Sequence, residues 1–294
     1  MPEVSVGMPV YNGEEFIQEA IDSILEQTYE NLELIISDNA STDNSEEICR
    51  EYAARDKRVR YTRNDKNIGA SDNYNAVYLN AKGKYFKWAS CNDICEKHFL
   101  EKCIAVLDQD PSVVLCYPKT MLFEKNIKDG RVIDDNMHIM DESVCVRYQN
   151  FLERVKLNNA MNGVLRSAAL KHSALIKPFF SSDTALMAEL TLYGKFHEVD
   201  GSYFYRRMDE KTSTHLKSAE EVLKHYDPDM KNLMLFQNWK LQHEYFAAIQ
   251  RAPIKTSEKL CVFRYFFKQF LWSRNDLMND FVDMIRKYTH KVAA

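Results

Sequence analysis

Between Val4 and Leu107 the chain alternates four times between a short apolar run of β character and a segment with apolar residues at helical spacing. The runs are Val4 to Val10, Leu32 to Ser37, Val59 to Thr62 and a stretch beginning at Tyr85. The helical segments follow at Phe16 to Leu25, Ser45 to Arg55, Ser71 to Leu79 and Glu96 to Leu107. Parallel strands need a crossover to join them, usually a helix, so this alternation predicts an α/β fold with a doubly wound, mainly parallel sheet flanked by helices. No internal repeat or low-complexity tract interrupts it.

Sheets of this class bind ligands in a crevice outside the carboxyl ends of their strands. The tips here are polar: Tyr11-Asn12 after the first strand, Asp38 to Ser41 after the second, Asn67 to Gly69 after the third, and Ser90, Cys91, Asn92 and Asp93 after the fourth. These last four are expected to hold the diphosphate of a nucleotide, directly or through a metal. The chain has no Gly-x-Gly-x-x-Gly fingerprint and no P-loop, which argues against a dinucleotide cofactor and an ATPase site. Asp38 has two readings: its carboxylate can accept the imide N–H of a uracil or thymine ring, or it is a turn acid bonded to its own backbone.

Beyond Asp110-Pro111 the pattern loosens. A strand is expected over Val113 to Tyr117, a loop or hairpin over residues 124–145, a helix over Tyr148 to Leu157, an extended piece from Asn158 to Leu165 and a short helix over Ser167 to Leu175. Ser181-Ser-Asp183 precedes a helix from Thr184 to Tyr193 and has the composition of an N-cap. Phe196 to Val199 and Ser202 to Arg206 read as a strand pair around Asp200-Gly201. The expected division is a nucleotide-binding half over 1–118, a second half of the same domain over 119–215, and a helical extension over 216–294. Within that extension residues 251–294 carry nine Lys/Arg against four Asp/Glu, although the whole chain has a net charge of −4. Aromatic residues from Phe263 to Trp272 alternate there with Arg264, Lys268 and Arg274. The segment is either a core or dimer-interface helix or a helix lying on a membrane surface.

A net charge of −4 gives no reason to expect nucleic acid as a partner. Seven cysteines, an odd number with no Cys-x2-Cys pair, suggest reduced thiols rather than a zinc site or a disulfide framework. Cys91 and Cys95 read as packing thiols, His98 as a surface or capping residue, Trp88 as core and His215 as a weak ligand candidate. With no signal-like N-terminus and no 18-residue apolar run, the expected location is cytoplasmic, with peripheral membrane contact as an option.

Three blocks, Val6-Gly-Met-Pro-Val-Tyr-Asn-Gly, Ile36-Ser-Asp-Asn-Ala-Ser-Thr-Asp-Asn-Ser and Gly83-Lys-Tyr-Phe-Lys-Trp, together resemble family 2 glycosyltransferases of the GT-A fold. The resemblance spans roughly residues 1–110 in good register and 158–215 more loosely. It implies inverting transfer of a sugar from a nucleotide diphosphate donor to a saccharide or lipid-linked acceptor; a non-catalytic nucleotide-sugar or glycan-binding protein of the same fold is the alternative. Position by position, it implies that Pro9, Tyr11, Asp38 and Ser41 hold the base and ribose, that Asn67, Gly69 and Asn73 border the nucleotide, and that Asp183 is the catalytic base. The family's metal-binding Asp-x-Asp falls on Ser90-Cys91-Asn92, with Asp93 next to it. Mg²⁺ and Mn²⁺ prefer carboxylate oxygens, so this departure leaves three options: Asp93 takes over, a metal binds weakly through Asn92, or the diphosphate is neutralised without one. Where the family often has a His after a Tyr-Arg pair, Tyr205-Arg-Arg is followed by Met208 and Asp209. Asp209 is thus a further candidate metal ligand or a solvated turn acid, and Arg206 and Arg207 are candidate charges for the leaving diphosphate or surface ion-pair partners.

Overall fold

The computed structural model describes residues 1–209, 228 and 236–292. Strands β1 (Val4–Val10), β2 (Leu32–Asp38), β3 (Val59–Arg63) and β4 (Tyr85–Trp88) alternate with helices α1 (Ile17–Leu25), α2 (Ser45–Arg55) and α3 (Ala70–Leu79). They lie in the order β3-β2-β1-β4 and are all parallel. Every residue of β1 and β2 is buried, as expected for central parallel strands covered on both faces. On one face Val6, Met8 and Leu34 pack with Ile17 and Ile21 of α1; on the other Val77 of α3 packs with Phe86 and Trp88.

The remaining elements are β5 (Ile94–Cys95), α4 (Phe99–Gln109), β6 (Val113–Phe123), β7 (Arg131–Ile133), α5 (Val144–Arg154), β8 (Val164–Arg166), α6 (Ser167–Lys171), α7 (Ser182–Tyr193) and β9 (Lys195–Arg207). They extend the sheet as β4-β8-β6-β9-β5, with β7 forming a hairpin with β6. This half is mixed: β8 runs antiparallel to β4 and β6, while β9 runs parallel to β6. Helices α8 (Gln237–Arg251), α9 (Thr256–Trp272) and α10 (Arg274–Val292) close the described chain. Tyr245 and Ile249 of α8 and Val262 and Phe266 of α9 join the core that contains Tyr148 and Phe151 of α5.

Four expectations are corrected. Ile94–Cys95, expected to lie in the polar tip and helix after the fourth strand, is a short strand of its own paired antiparallel with β9, while the strand from Tyr85 ends at Trp88 and leaves residues 89–93 as the expected tip. Residues 195–207 are one strand: around Gly201, at φ +72°, the register with β6 slips from Val199–Pro118 to Tyr203–Lys119, a bulge that leaves the strand direction unchanged. Ser181 makes no side-chain capping bond, its backbone being left-handed at φ 64°. Finally, Cys145 and Cys261 form a disulfide, because α5 and α9 pack with these Cα atoms 5.9 Å apart, inside bridging range. The other five cysteines are free; four are buried and Cys91 is half-buried. His215 lies outside the described residues.

One glycine fixes how closely α3 approaches the sheet. A Cβ on Gly7 of β1 would lie 2.6 Å from Val77 Cγ2 and 2.8 Å from Phe86 Cζ. Gly7→Ala is therefore expected to destabilise the fold by about 1–3 kcal/mol, the usual cost of overpacking a core. Urea denaturation would show it as a lower midpoint at unchanged slope.

Candidate active site

The first two strand tips are stitched into one unit. Val10 C=O accepts the Asn39 N–H at 2.8 Å, and Ser41 Oγ accepts the Asn12 N–H at 3.0 Å. Asn12 Oδ1 in turn accepts the Thr42 N–H at 2.8 Å, and the Gly13 N–H reaches Ser45 Oγ at 2.8 Å. Asn12 takes a left-handed conformation, φ 53°, which asparagine tolerates better than most residues. Pro9 is buried in β1, while Tyr11 stands 49 % exposed beside these loops.

Asp38 has no exposed surface. Its Oδ1 accepts the Ser41 N–H at 2.8 Å, and its Oδ2 accepts the Tyr61 hydroxyl at 2.9 Å and Arg63 Nη1 at 2.6 Å. Burial works against the charge, but the Ser41, Tyr61 and Arg63 bonds outweigh it and hold this carboxyl below its usual range. Contact between Asp38 and a nucleobase thus requires Arg63, the exposed partner of the pair, to move aside.

The third tip is bound to the second by amides. Asn39 Nδ2 donates to Asn67 Oδ1 at 2.8 Å, and its Oδ1 accepts the Ile68 N–H at 2.9 Å. Asn67 Oδ1 also accepts the Gly69 N–H, and Gly69 itself sits at φ 88°. Asn73 on α3 is 2 % exposed; it accepts the Ser37 hydroxyl at 2.6 Å and donates to the Ser37 carbonyl at 2.9 Å. Asn67, Gly69 and Asn73 thus hold the third tip and the start of α3 to the second tip. The hub of the network, Asn39, was missed from sequence because a single Asn beside an Asp carries no spacing signal.

At the fourth tip Ser90 Oγ donates to Asn92 Oδ1, and Asn92 Nδ2 lies 3.4 Å from Asp93 Oδ1. Asp93 Oδ1 accepts the Arg207 N–H at 2.9 Å, which ties the loop to the end of β9. Arg207 is buried: Nε donates to the Asn92 carbonyl, Nη2 pairs with Glu19, and the guanidinium lies 4.3 Å from the Phe16 ring centre and 4.5 Å from that of Phe123. It is a structural clamp under the loop. Arg206 points the other way, to the Leu157 carbonyl and Asn159 Oδ1. Burial pushes Asp93 up to about 6 despite the Arg207 N–H and the positive charges of Arg206, Lys87 and Arg207. At neutral pH it is ionised at a cost.

Cys91 approaches the Gly13 position, where a Cβ would meet its Sγ at 3.0 Å, so the fourth tip packs on the first. Burial raises the Cys91 thiol to about 12, which makes it a packing group rather than a nucleophile. Cys95 and Trp88 are buried, and His98 is exposed beside Glu101.

Asp183 lies in the first turn of α7, and its Oδ2 accepts Asn158 Nδ2 at 2.8 Å. The next residue, Asn159, donates to Asp135 Oδ1 at 2.7 Å and also accepts from Arg206. The segment 158–159 therefore links the Asp183 helix to the Arg206 end of β9, beside the Asp93 loop. Asn158, Asn159 and Asp135 were not singled out in the sequence, since their partners are 24 or more positions away.

The donor set offers little to a metal held by protein alone. No group of three His, Cys, Asp or Glu side chains able to hold an ion exists among the described residues. The Asn92 amide oxygen is engaged by Ser90, and one Asp93 oxygen by the Arg207 N–H. Asp209 is half-buried two residues past Arg207 and adds no such cluster. Residues 5–176 match the model of glycosyl transferase family 2.

The chain belongs to that family. Among curated relatives it is 29 % identical over 218 residues to glycosyltransferase GlyG of Streptococcus pneumoniae, covering 72 % of this chain and 64 % of the relative. It is 30 % identical over 224 residues to an uncharacterised glycosyltransferase of Rickettsia prowazekii, covering 73 % and 64 %. The matches thus span less than two thirds of the length of these relatives. The fold is that of S. aureus TarS residues 1–349 in complex with UDP-GlcNAc, with a TM-score of 0.66 at 20 % identity over 94 % of this chain and 74 % of that one. A mannosyltransferase of Pyrobaculum calidifontis in complex with GDP-Man and Mn²⁺ aligns with a TM-score of 0.53 at 14 % identity, over 96 % and 86 %. This family 2 chain is a GT-A α/β protein with C-terminal helices, and no described helix is long and apolar enough to cross a membrane.

Proposed function

We propose that this glycosyltransferase moves a sugar, with inversion, from a UDP-sugar, or alternatively a dTDP-sugar, to a hydroxyl of a saccharide or lipid-linked acceptor in glycan assembly. The observation that carries the reading is that the 11–13, 38–45, 67–69 and 90–93 loops are bonded or packed together at one edge of the sheet, within a family 2 chain. The base lies against Tyr11 and the 38–41 loop, with Pro9 and Ser41 shaping its floor and Asn67, Gly69 and Asn73 its wall.

Inverting transfer is one in-line displacement. It requires a base for the acceptor proton and positive charge for the departing diphosphate. Asp183 takes the proton as the acceptor oxygen attacks the anomeric carbon, and Asn158 holds its carboxylate in place. Arg206, half-buried beside the Asp93 loop, supplies charge to the diphosphate. A divalent ion, if bound, would neutralise charge on the diphosphate, with Asn92, Asp93 and Asp209 as the residues that would help hold it.

Calorimetric titration of UDP into the full chain, in EDTA and in Mn²⁺, tests this. Binding is expected in both, with EDTA weakening it by less than about tenfold, about 1.4 kcal/mol, since the Asn92 amide oxygen and one Asp93 oxygen are already engaged by protein donors. Absence of binding in both would sink the donor assignment. Binding in Mn²⁺ alone would leave that assignment standing but overturn the metal-sparing feature.

A further inference from the structure

The C-terminal helices are apolar on two sides. On α9, Val262, Tyr265 and Phe266 face the core, and the Cys145–Cys261 bond holds this side against α5. The opposite side carries Leu260, Phe267 and Leu271, which recur at i, i+7 and i+11 and so stack along one stripe, with the exposed Trp272 beside Lys268 at the helix end. These four are 54–63 % exposed, which is unusual for large apolar side chains in a group. The stripe is edged by Arg264 and Lys268, and the Lys268 ammonium sits 4.5 Å from the Trp272 ring centre. On α10 the same arrangement recurs: Met278, Phe281 and Val282, at i, i+3 and i+4, are 61 %, 38 % and 39 % exposed, while Leu277 and Asp280 are buried.

We infer that α9 seats this enzyme on the surface of an anionic lipid bilayer. Apolar and aromatic side chains enter the boundary between headgroups and acyl chains, while Arg264 and Lys268 pair with lipid phosphates; this is how an interfacial helix binds. Charge selects this occupant over a second copy of the chain. The α9 stripe is edged by Arg264 and Lys268, so two copies meeting through it would bring like charges together, whereas an anionic surface is complementary. The inner face of α9 is already occupied by the core, so docking needs no rearrangement of the fold. The inference is independent of the donor assignment.

Flotation of the full chain with two sets of vesicles tests it: phosphatidylcholine alone, and phosphatidylcholine with an equal amount of phosphatidylglycerol. Binding to the second set and little to the first is expected. The double variant Arg264→Gln/Lys268→Gln should lower partition to the anionic vesicles by roughly 30-fold, from about 1 kcal/mol for each basic residue at such a surface. The triple variant Phe267→Ser/Leu271→Ser/Trp272→Ser should abolish it. All changed side chains point outward, so helix content by circular dichroism and the thermal midpoint should stay near those of the wild type and report that the variants fold. Equal binding to both vesicle sets would overturn the inference, as would no binding to either. So would a concentration-dependent dimer in light scattering that the triple variant dissociates while vesicles go unbound.

Discussion

Asp183→Asn is expected to lower kcat by about 10²–10⁴, the usual contribution of a general base, while UDP affinity stays within about twofold of wild type. The exchange is nearly isosteric. The Asn158 amide, 2.8 Å from Asp183 Oδ2, can keep its bond to the amide oxygen, so the geometry of the α7 start is preserved and only the ability to accept a proton is lost. That separates chemistry from architecture. Asn is as good a residue as Asp near a helix start, so a purely capping role predicts unchanged turnover as well as unchanged stability. Single-turnover kinetics with saturating donor and acceptor distinguish the two, and a kcat within about threefold of wild type would remove Asp183 from the mechanism.

Asp38→Ala should be the most damaging change to the crevice itself. It removes the acceptor for the buried Ser41 N–H and for the Tyr61 hydroxyl, and a buried donor left unpaired costs about 1–3 kcal/mol, so a loss of about 3 kcal/mol is expected. Arg63 can turn to solvent and adds nothing to that figure. The 38–45 loop also loses its anchor, and UDP binding should fall with it.

The same group gives a pH signature. Burial opposes the Asp38 charge, yet its bonds to Ser41, Tyr61 and Arg63 keep the folded pKa below the unfolded one. The stabilisation is therefore fully present above the unfolded value near pH 4 and is lost as the pH falls through the lower folded value. Asp38→Asn should flatten that acid limb of the stability curve. Asp93 has the opposite sign: with its folded pKa raised to about 6, it favours the folded state most at low pH and loses that contribution as the pH rises through about 6.

The first half of the fold was legible because parallel strands and their crossover helices write two clear periods into the chain; β1, β2, α1 and α2 fall within a residue or two of their expected bounds. The second half was less so. Strand β9 carries Asp200-Gly201, a turn signal in any local reading, and only its continuous pairing with β6 makes it a bulge. The disulfide joins residues 116 positions apart, and an odd cysteine count gives no hint of a pair formed where two helices meet. At the site the strand tips were visible as polar runs, but Asn39, Asn158 and Arg63 act through partners distant in sequence, and the full commitment of the Asp38 carboxylate to protein donors has no local sign. The C-terminal helix showed its composition without its orientation. Only burial separates Val262 and Phe266, which face the core, from Phe267 and Leu271, which face outward.

The most direct test of the donor crevice is a crystal structure of the full chain with UDP. The expected result is uracil against Tyr11 and the 38–41 loop, with the diphosphate beside Asn92, Asp93 and Arg206. Nucleotide seated elsewhere on the protein would contradict the assignment, and so would a crevice that stays empty at saturating UDP.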